Sequence, residues 1–231
     1  MSSYKYHSLF AVVLSLFYFI NPIYCLLTII GANISDFDHD VKKAHLYKVM
    51  IVGLTTLITL YILKSSYVIG IFILLIAIIS YISKHRGFTH SLIGGLVLSY
   101  LIFAIIFFSI ELSYQISSNS NVNFSITLME LIAILLCVLF VNKKISYIII
   151  VLFVLWILIS PINTISLKSI GFSIFLGFLS HLILDSFSPN GIELLNPISS
   201  KKFGKKFGIS MIFLLILIAA TYKNLIINLS F

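Results

Sequence analysis

Asp36, Asp38 and His39 crowd into the stretch Gly31-Ala-Asn-Ile-Ser-Asp-Phe-Asp-His-Asp40. His85 and His90 flank Arg86 in His85-Arg-Gly-Phe-Thr-His-Ser91, and His181 stands one helical turn before Asp185. Carboxylate beside imidazole is the donor set of Zn²⁺, Mn²⁺ or Fe²⁺. Ten of the thirteen acidic and histidine residues fall in these segments, with Asp40, His45 and Glu193 completing the ten. All three segments border long apolar stretches. An ionised group inside a bilayer costs about 2.5–3.5 kcal/mol on insertion scales, so such a concentration needs water, a partner or a metal to offset it.

Each segment has its own chemistry. Asp36 and His39, three apart, share a face of a helical turn, and Asp38 points elsewhere, so two ions can draw on one segment. The other reading is a hydrated loop whose Asp residues cap the next helix. In the second segment Thr89 or Ser91 can cap the helix that follows. A helix N-terminus disfavours imidazolium, which keeps His90 neutral and able to bind metal. Arg86 is the only Arg of the chain. Its planar fork suits phosphate or carboxylate, and the alternative is an ordinary membrane-edge anchor. His181 and Asp185 at i and i+4 reach one ion from one helix face, or form a metal-free pair in which Asp orients His. Glu193, after the stop signal Ser188-Pro189-Asn190-Gly191, is either a general acid/base or a plain surface acid. On spacing alone His7 reads as a structural residue, and His45, beyond two lysines, as a solvated one.

The elements that position these residues are apolar. Of 231 residues 60% are hydrophobic and only 10% charged, against about 25% charged in a soluble domain. This excludes a soluble domain, a disordered chain and a secreted disulfide scaffold. It leaves an all-α, polytopic helical membrane bundle, one integral membrane domain over residues 1–231. Expected spans are 47–63, 67–83, 91–110, 126–142, 145–160, 169–187 and 208–222. Residues 8–33, with no signal-peptidase site after them, read as retained. Asn21-Pro22 interrupts this stretch.

The net charge of +8 is a topology signal and not a nucleic-acid footprint. Alternating spans place 11 of the 15 basic residues on the face that carries the three segments, which the positive-inside rule makes cytoplasmic. Cys25 and Cys137 lie within apolar stretches and read as buried thiols.

Taken in order, Gly31-Ala32, Asp36, Asp38 and His39, then His85 to Ser91, then His181, Asp185, Phe187 to Pro189, Gly191, Leu194, Leu195 and Pro197 resemble the motifs of the YdjM-type membrane proteins. That family is regarded as predicted membrane-bound metal-dependent hydrolases of bacterial inner membranes. The resemblance spans residues 31–197, and its most specific part is the His85–Ser91 run. Ser35 stands where the family usually has Pro. The family also carries a His before its first apolar segment. The resemblance therefore implies that His7 joins the ligands.

A single helix from 8 to 33 would hold His7 roughly 40 Å from Asp36. The expectation is a short N-terminal re-entrant helical hairpin turning at Asn21-Pro22. The expected site is a cytoplasmic-face metal centre of one or two divalent ions, with Zn as the first choice and Mn or Fe as alternatives. Its ligands are His7, Asp36, Asp38, His39, His85, His90, His181 and Asp185, with Asp38, Arg86 and Glu193 in catalytic roles. The partners are membrane lipid and an anionic phosphoester or lipid-linked substrate. A phosphatase of the PAP2 type needs a Pro-Ser-Gly-His motif, and a zincin needs His-Glu-x-x-His; neither is present. The competing class is a non-catalytic metal-binding membrane factor or a transporter. Transporters place ionisable groups at the midplane, often within repeats; here they sit at span ends, without a repeat.

Overall fold

The computed structural model describes residues 4–38, 43–84, 86–116, 122–159 and 165–229. Among the described residues there are nine α-helices: α1 (Tyr4–Tyr18), α2 (Pro22–Ile34), α3 (Lys43–Ile62), α4 (Val68–Ile82), α5 (Leu92–Ile116), α6 (Val122–Phe140), α7 (Lys143–Ile159), α8 (Leu167–Ser186) and α9 (Lys205–Leu229). A 3₁₀ turn, Ser35–Asp38, follows α2, and another, Phe88–His90, precedes α5. Each apolar segment expected from residue 47 onward corresponds to one helix. α5 and α9 are longer than expected, and α9 takes Lys205 and Lys206 into its first turn. Three stretches are long and apolar enough to cross a membrane, His45–Ile62, Leu92–Gln115 and Leu167–Ser186. Pro22–Phe37, Val68–Ile82 and Ile126–Phe140 are apolar but shorter. Exposed apolar residues recur at helical spacing on outer faces: Leu54 and Ile58 on α3, Leu131 and Leu135 on α6, Val151 and Leu155 on α7, Phe213 and Leu217 on α9. Such faces suit lipid and not water.

The N-terminal apolar stretch is broken by its own sequence. Pro22 occupies the first turn of α2, where a missing N–H costs nothing. The Asn21 side chain caps that helix, accepting from the Ile23 N–H at 3.0 Å. α1 and α2 therefore fold back on each other, and Asn33 Nδ2 donates to Ser8 Oγ at 3.0 Å across the pair. With 15 and 13 residues, each helix is about 20 Å long, short of the roughly 30 Å of hydrocarbon. At the end of α2, Ser35 has φ −60°, a value proline would also adopt. Serine there leaves the turn geometry unchanged.

α2 is buried along its whole length and packs most extensively against α8. The contact is made by backbone. A Cβ added to Gly31 would fall on the Ile174 carbonyl, and one added to Gly177 on the Thr28 carbonyl, both far inside contact distance. Small residues permit this approach between helices. α1, α5 and α9 pack on α8, α6 and α7 on α2, and the α3–α4 pair joins the bundle through α5.

At one end, the Phe37 ring lies 5.3 Å from His45 and 5.4 Å from Phe140. The α6–α7 corner, with Lys143 and Lys144, thus shares the end that carries Asp36. His45 differs from its expected solvated state. It is half-buried, with Nε2 2.8 Å from the Leu139 carbonyl oxygen, because tertiary packing brings the end of α6 over the start of α3.

Candidate metal centre

Five of the expected ligands meet at that end. α8 supplies His181 and Asp185 from successive turns, and the first turn of α1 supplies His7. The 3₁₀ turn after α2 supplies Asp36, and the one before α5 supplies His90. The position of His90 is fixed locally. Ser91 caps α5, its Oγ accepting from the Gly94 N–H at 3.1 Å and donating to the Phe88 carbonyl at 2.8 Å. The three imidazoles are buried, and the Asp185 and Asp36 side chains are 8% and 14% exposed.

The donor atoms converge. His181 Nε2 lies 3.4 Å from Asp185 Oδ2 and 3.8 Å from Asp36 Oδ1. His90 Nε2 lies 3.6 Å from Asp185 Oδ2 and 3.7 Å from Asp36 Oδ1. His7 Nε2 lies 3.6 Å from Asp185 Oδ1, and its ring stacks on His181 with centroids 4.2 Å apart. His7–His181–Asp185 and Asp36–His90–His181 each form a trio whose donors lie within 4.8 Å of one another. Both trios use His181, and one imidazole nitrogen serves one ion. The five residues could therefore hold a metal ion around that shared imidazole. A second ion would depend on Asp38, His39 and His85; His39 and His85 lie outside the described residues, as does the side chain of Asp38.

The tautomer of His181 decides what the cluster accepts. Its Nδ1 donates to the Ala32 carbonyl at 2.7 Å, which in the neutral ring leaves the lone pair on Nε2. That atom is buried without a hydrogen-bond partner and faces two carboxylates. A lone pair set among carboxylate oxygens is repulsive until a cation sits between them. An imidazole N–H bonded to a backbone carbonyl is the usual outer partner of a metal-ligating His. Thr89 Oγ1 lies 3.3 Å from Nδ1 of the second ring, His90. The donor set, three imidazoles and two carboxylates, fits a divalent ion.

Arg86 and Glu193 are not in this cluster. Both line a separate cleft, with Lys84 and Lys202, formed by the loop that precedes His90 and the loop that follows α8. Sequence reasoning also passed over the Ala32 carbonyl and Gly177. Ala32 is invisible to side-chain patterns because its role is played by backbone. Gly177 carries a signal that was there to read, since it is a glycine one turn before His181 in an apolar helix.

The family model described as YdjM inner membrane protein matches residues 4–230. No curated protein and no solved structure matches the chain.

Proposed function

The chain belongs to the YdjM inner membrane protein family, and from that premise we propose that it is a membrane-bound, metal-dependent hydrolase of phosphoester or lipid-linked anionic substrates. The observation that carries this reading is His181. Its buried Nε2 lone pair is fixed by the Ala32 carbonyl and aimed between Asp36 and Asp185, with His7 and His90 beside it. Five donors exceed the four of a closed structural Zn²⁺ site and leave room for one exchangeable position on a six-coordinate ion. A divalent ion bound there supplies activated water near neutral pH. His7, Asp36, His90, His181 and Asp185 hold and orient it, and burial by α2 and α8 keeps bulk water away.

The basic groups at the same end, Lys84, Arg86, Lys143, Lys144, Lys201 and Lys202, support a cytoplasmic orientation. In that orientation α1 and α2 form a re-entrant hairpin. Phe19 of their turn packs against Phe172 of α8, while Ile20 is exposed.

The reading is tested by screening the purified protein against lipid phosphoesters. Turnover is expected to disappear on chelation and to return with Mn²⁺ or Zn²⁺. Turnover that survives chelation would overturn the proposal.

A further inference from the structure

A cleft of about 640 Å³ opens beside the metal centre, between the end of α4, the loop leading to Phe88 and the loop after α8. None of the five donors lines it. Its volume falls within the roughly 300–1,000 Å³ of small-ligand sites. Its charged lining residues are Lys84, Arg86 and Lys202 against a single carboxylate, Glu193. Its apolar wall is formed by Ile79 and Ile82 on α4. Ile82 is 74% exposed, so this wall continues onto the outer face of the bundle.

The cationic lining is built by specific backbone geometry. Arg86 has φ +62°, a conformation non-glycine residues seldom adopt and one that marks functional positions. Its Nη1 lies 3.4 Å from Ser188 Oγ as donor, which stations the guanidinium across the two loops. Lys202 arrives by a fold-back of the other loop. Gly191 turns with φ +63°, where an added Cβ would lie 2.7 Å from the Phe203 carbonyl oxygen. Ile192 and Phe203 then exchange N–H···O bonds of 2.9 and 2.8 Å. Glu193 is fixed by Asn196 Nδ2, which donates to Oε2 at 3.1 Å. It remains able to accept from a hydroxyl of an occupant.

An inorganic anion has no use for the isoleucine wall, and a neutral lipid has none for three cations around one carboxylate. We infer that the cleft is the headgroup subsite of an anionic phospholipid, with phosphate between Arg86, Lys84 and Lys202 and an acyl chain along Ile79 and Ile82. Arg86 and lysine clusters are suited to phosphate by fork geometry and charge. One loop that walls the cleft leads into His90, and the other follows α8, which carries Asp185. That the lipid held here is the substrate rests on the hydrolase reading; that it binds does not.

The test measures lipid retained by the full chain in nanodiscs of phosphatidylcholine doped with phosphatidylglycerol. Inorganic phosphate and glycerol phosphate serve as soluble competitors. Phosphatidylglycerol is expected to be enriched around the protein. Lys202→Glu, an exposed change that leaves the packing untouched, and Arg86→Gln are each expected to weaken this enrichment roughly tenfold, with bound metal unchanged. His181→Ala is expected to lose metal and keep the lipid, so failure of the hydrolase reading and failure of this one give different results. Equal retention of both lipids, or displacement by glycerol phosphate as effective as by lipid, would overturn the subsite.

Discussion

Asp185→Asn is expected to reduce bound metal to background and to abolish hydrolysis, while the protein inserts and folds as before. The two Asp185 oxygens lie 3.4–3.6 Å from His7, His90 and His181, so this one carboxylate faces all three imidazoles of the cluster. Asparagine keeps the shape and removes the charge. Loss of an outer partner typically costs 10–100-fold in metal affinity, and loss of this direct donor is expected to cost more than about 100-fold. Thermal unfolding separates the effect from damage to the fold. Ligand held at about 100 times its dissociation constant stabilises by about 2.7 kcal/mol, and this metal-dependent increment is expected in the wild type and absent in the variant. In chelator the variant is expected to melt at or above the wild type, because the metal-free cluster no longer sets that carboxylate against imidazole lone pairs. Full metal occupancy in Asp185→Asn would show Asp185 to be structural.

Gly177→Ala is expected to be as damaging to the site, although it touches no ligand. The new methyl would fall on the Thr28 carbonyl, and backbone cannot swing aside. α2 and α8 must separate, which breaks the 2.7 Å bond between His181 Nδ1 and the Ala32 carbonyl and pulls His181 from Asp36. Overpacking of this kind costs about 1–3 kcal/mol, or several degrees of melting temperature for a chain of this size. Metal retention is expected to fall with it. Gly171→Ala, on the same helix, is the control. Its methyl would meet only the Phe103 ring, at 3.5 Å, and alanine favours helix over glycine. That variant is expected to match or exceed wild-type stability and to retain metal. Equal behaviour of the two variants would remove the close α2–α8 approach from the account.

The contrast between these glycines marks where the sequence was legible. His181, Asp185, Asp36 and His90 could be read directly, because ionisable residues at the ends of apolar stretches are too costly to occur by chance. His7 could not be read from spacing. It needed the family resemblance and the geometric requirement that α1 and α2 fold back at Asn21-Pro22. The helices themselves were legible from apolar runs, with ends misplaced where amphipathic turns such as Lys205–Lys206 extend past the hydrocarbon pattern. What stayed hidden depends on tertiary proximity. The Ala32 carbonyl that fixes the His181 tautomer has no side-chain signature, and His45 finds its partner at Leu139, 94 positions away. Arg86 and Glu193 were expected among the reacting groups because motif order places them beside the ligands. The fold turns them into a neighbouring cleft instead, since positive φ at Arg86 and the Gly191 turn redirect both loops.

X-ray absorption on wild-type protein, purified without chelator, tests the central claim most directly. The account predicts a bound divalent metal with a single nitrogen and oxygen shell at about 2.0–2.2 Å and imidazole scattering beyond it. A metal-free protein, or a sulfur shell near about 2.3 Å that would move the site to Cys25 or Cys137, would contradict it.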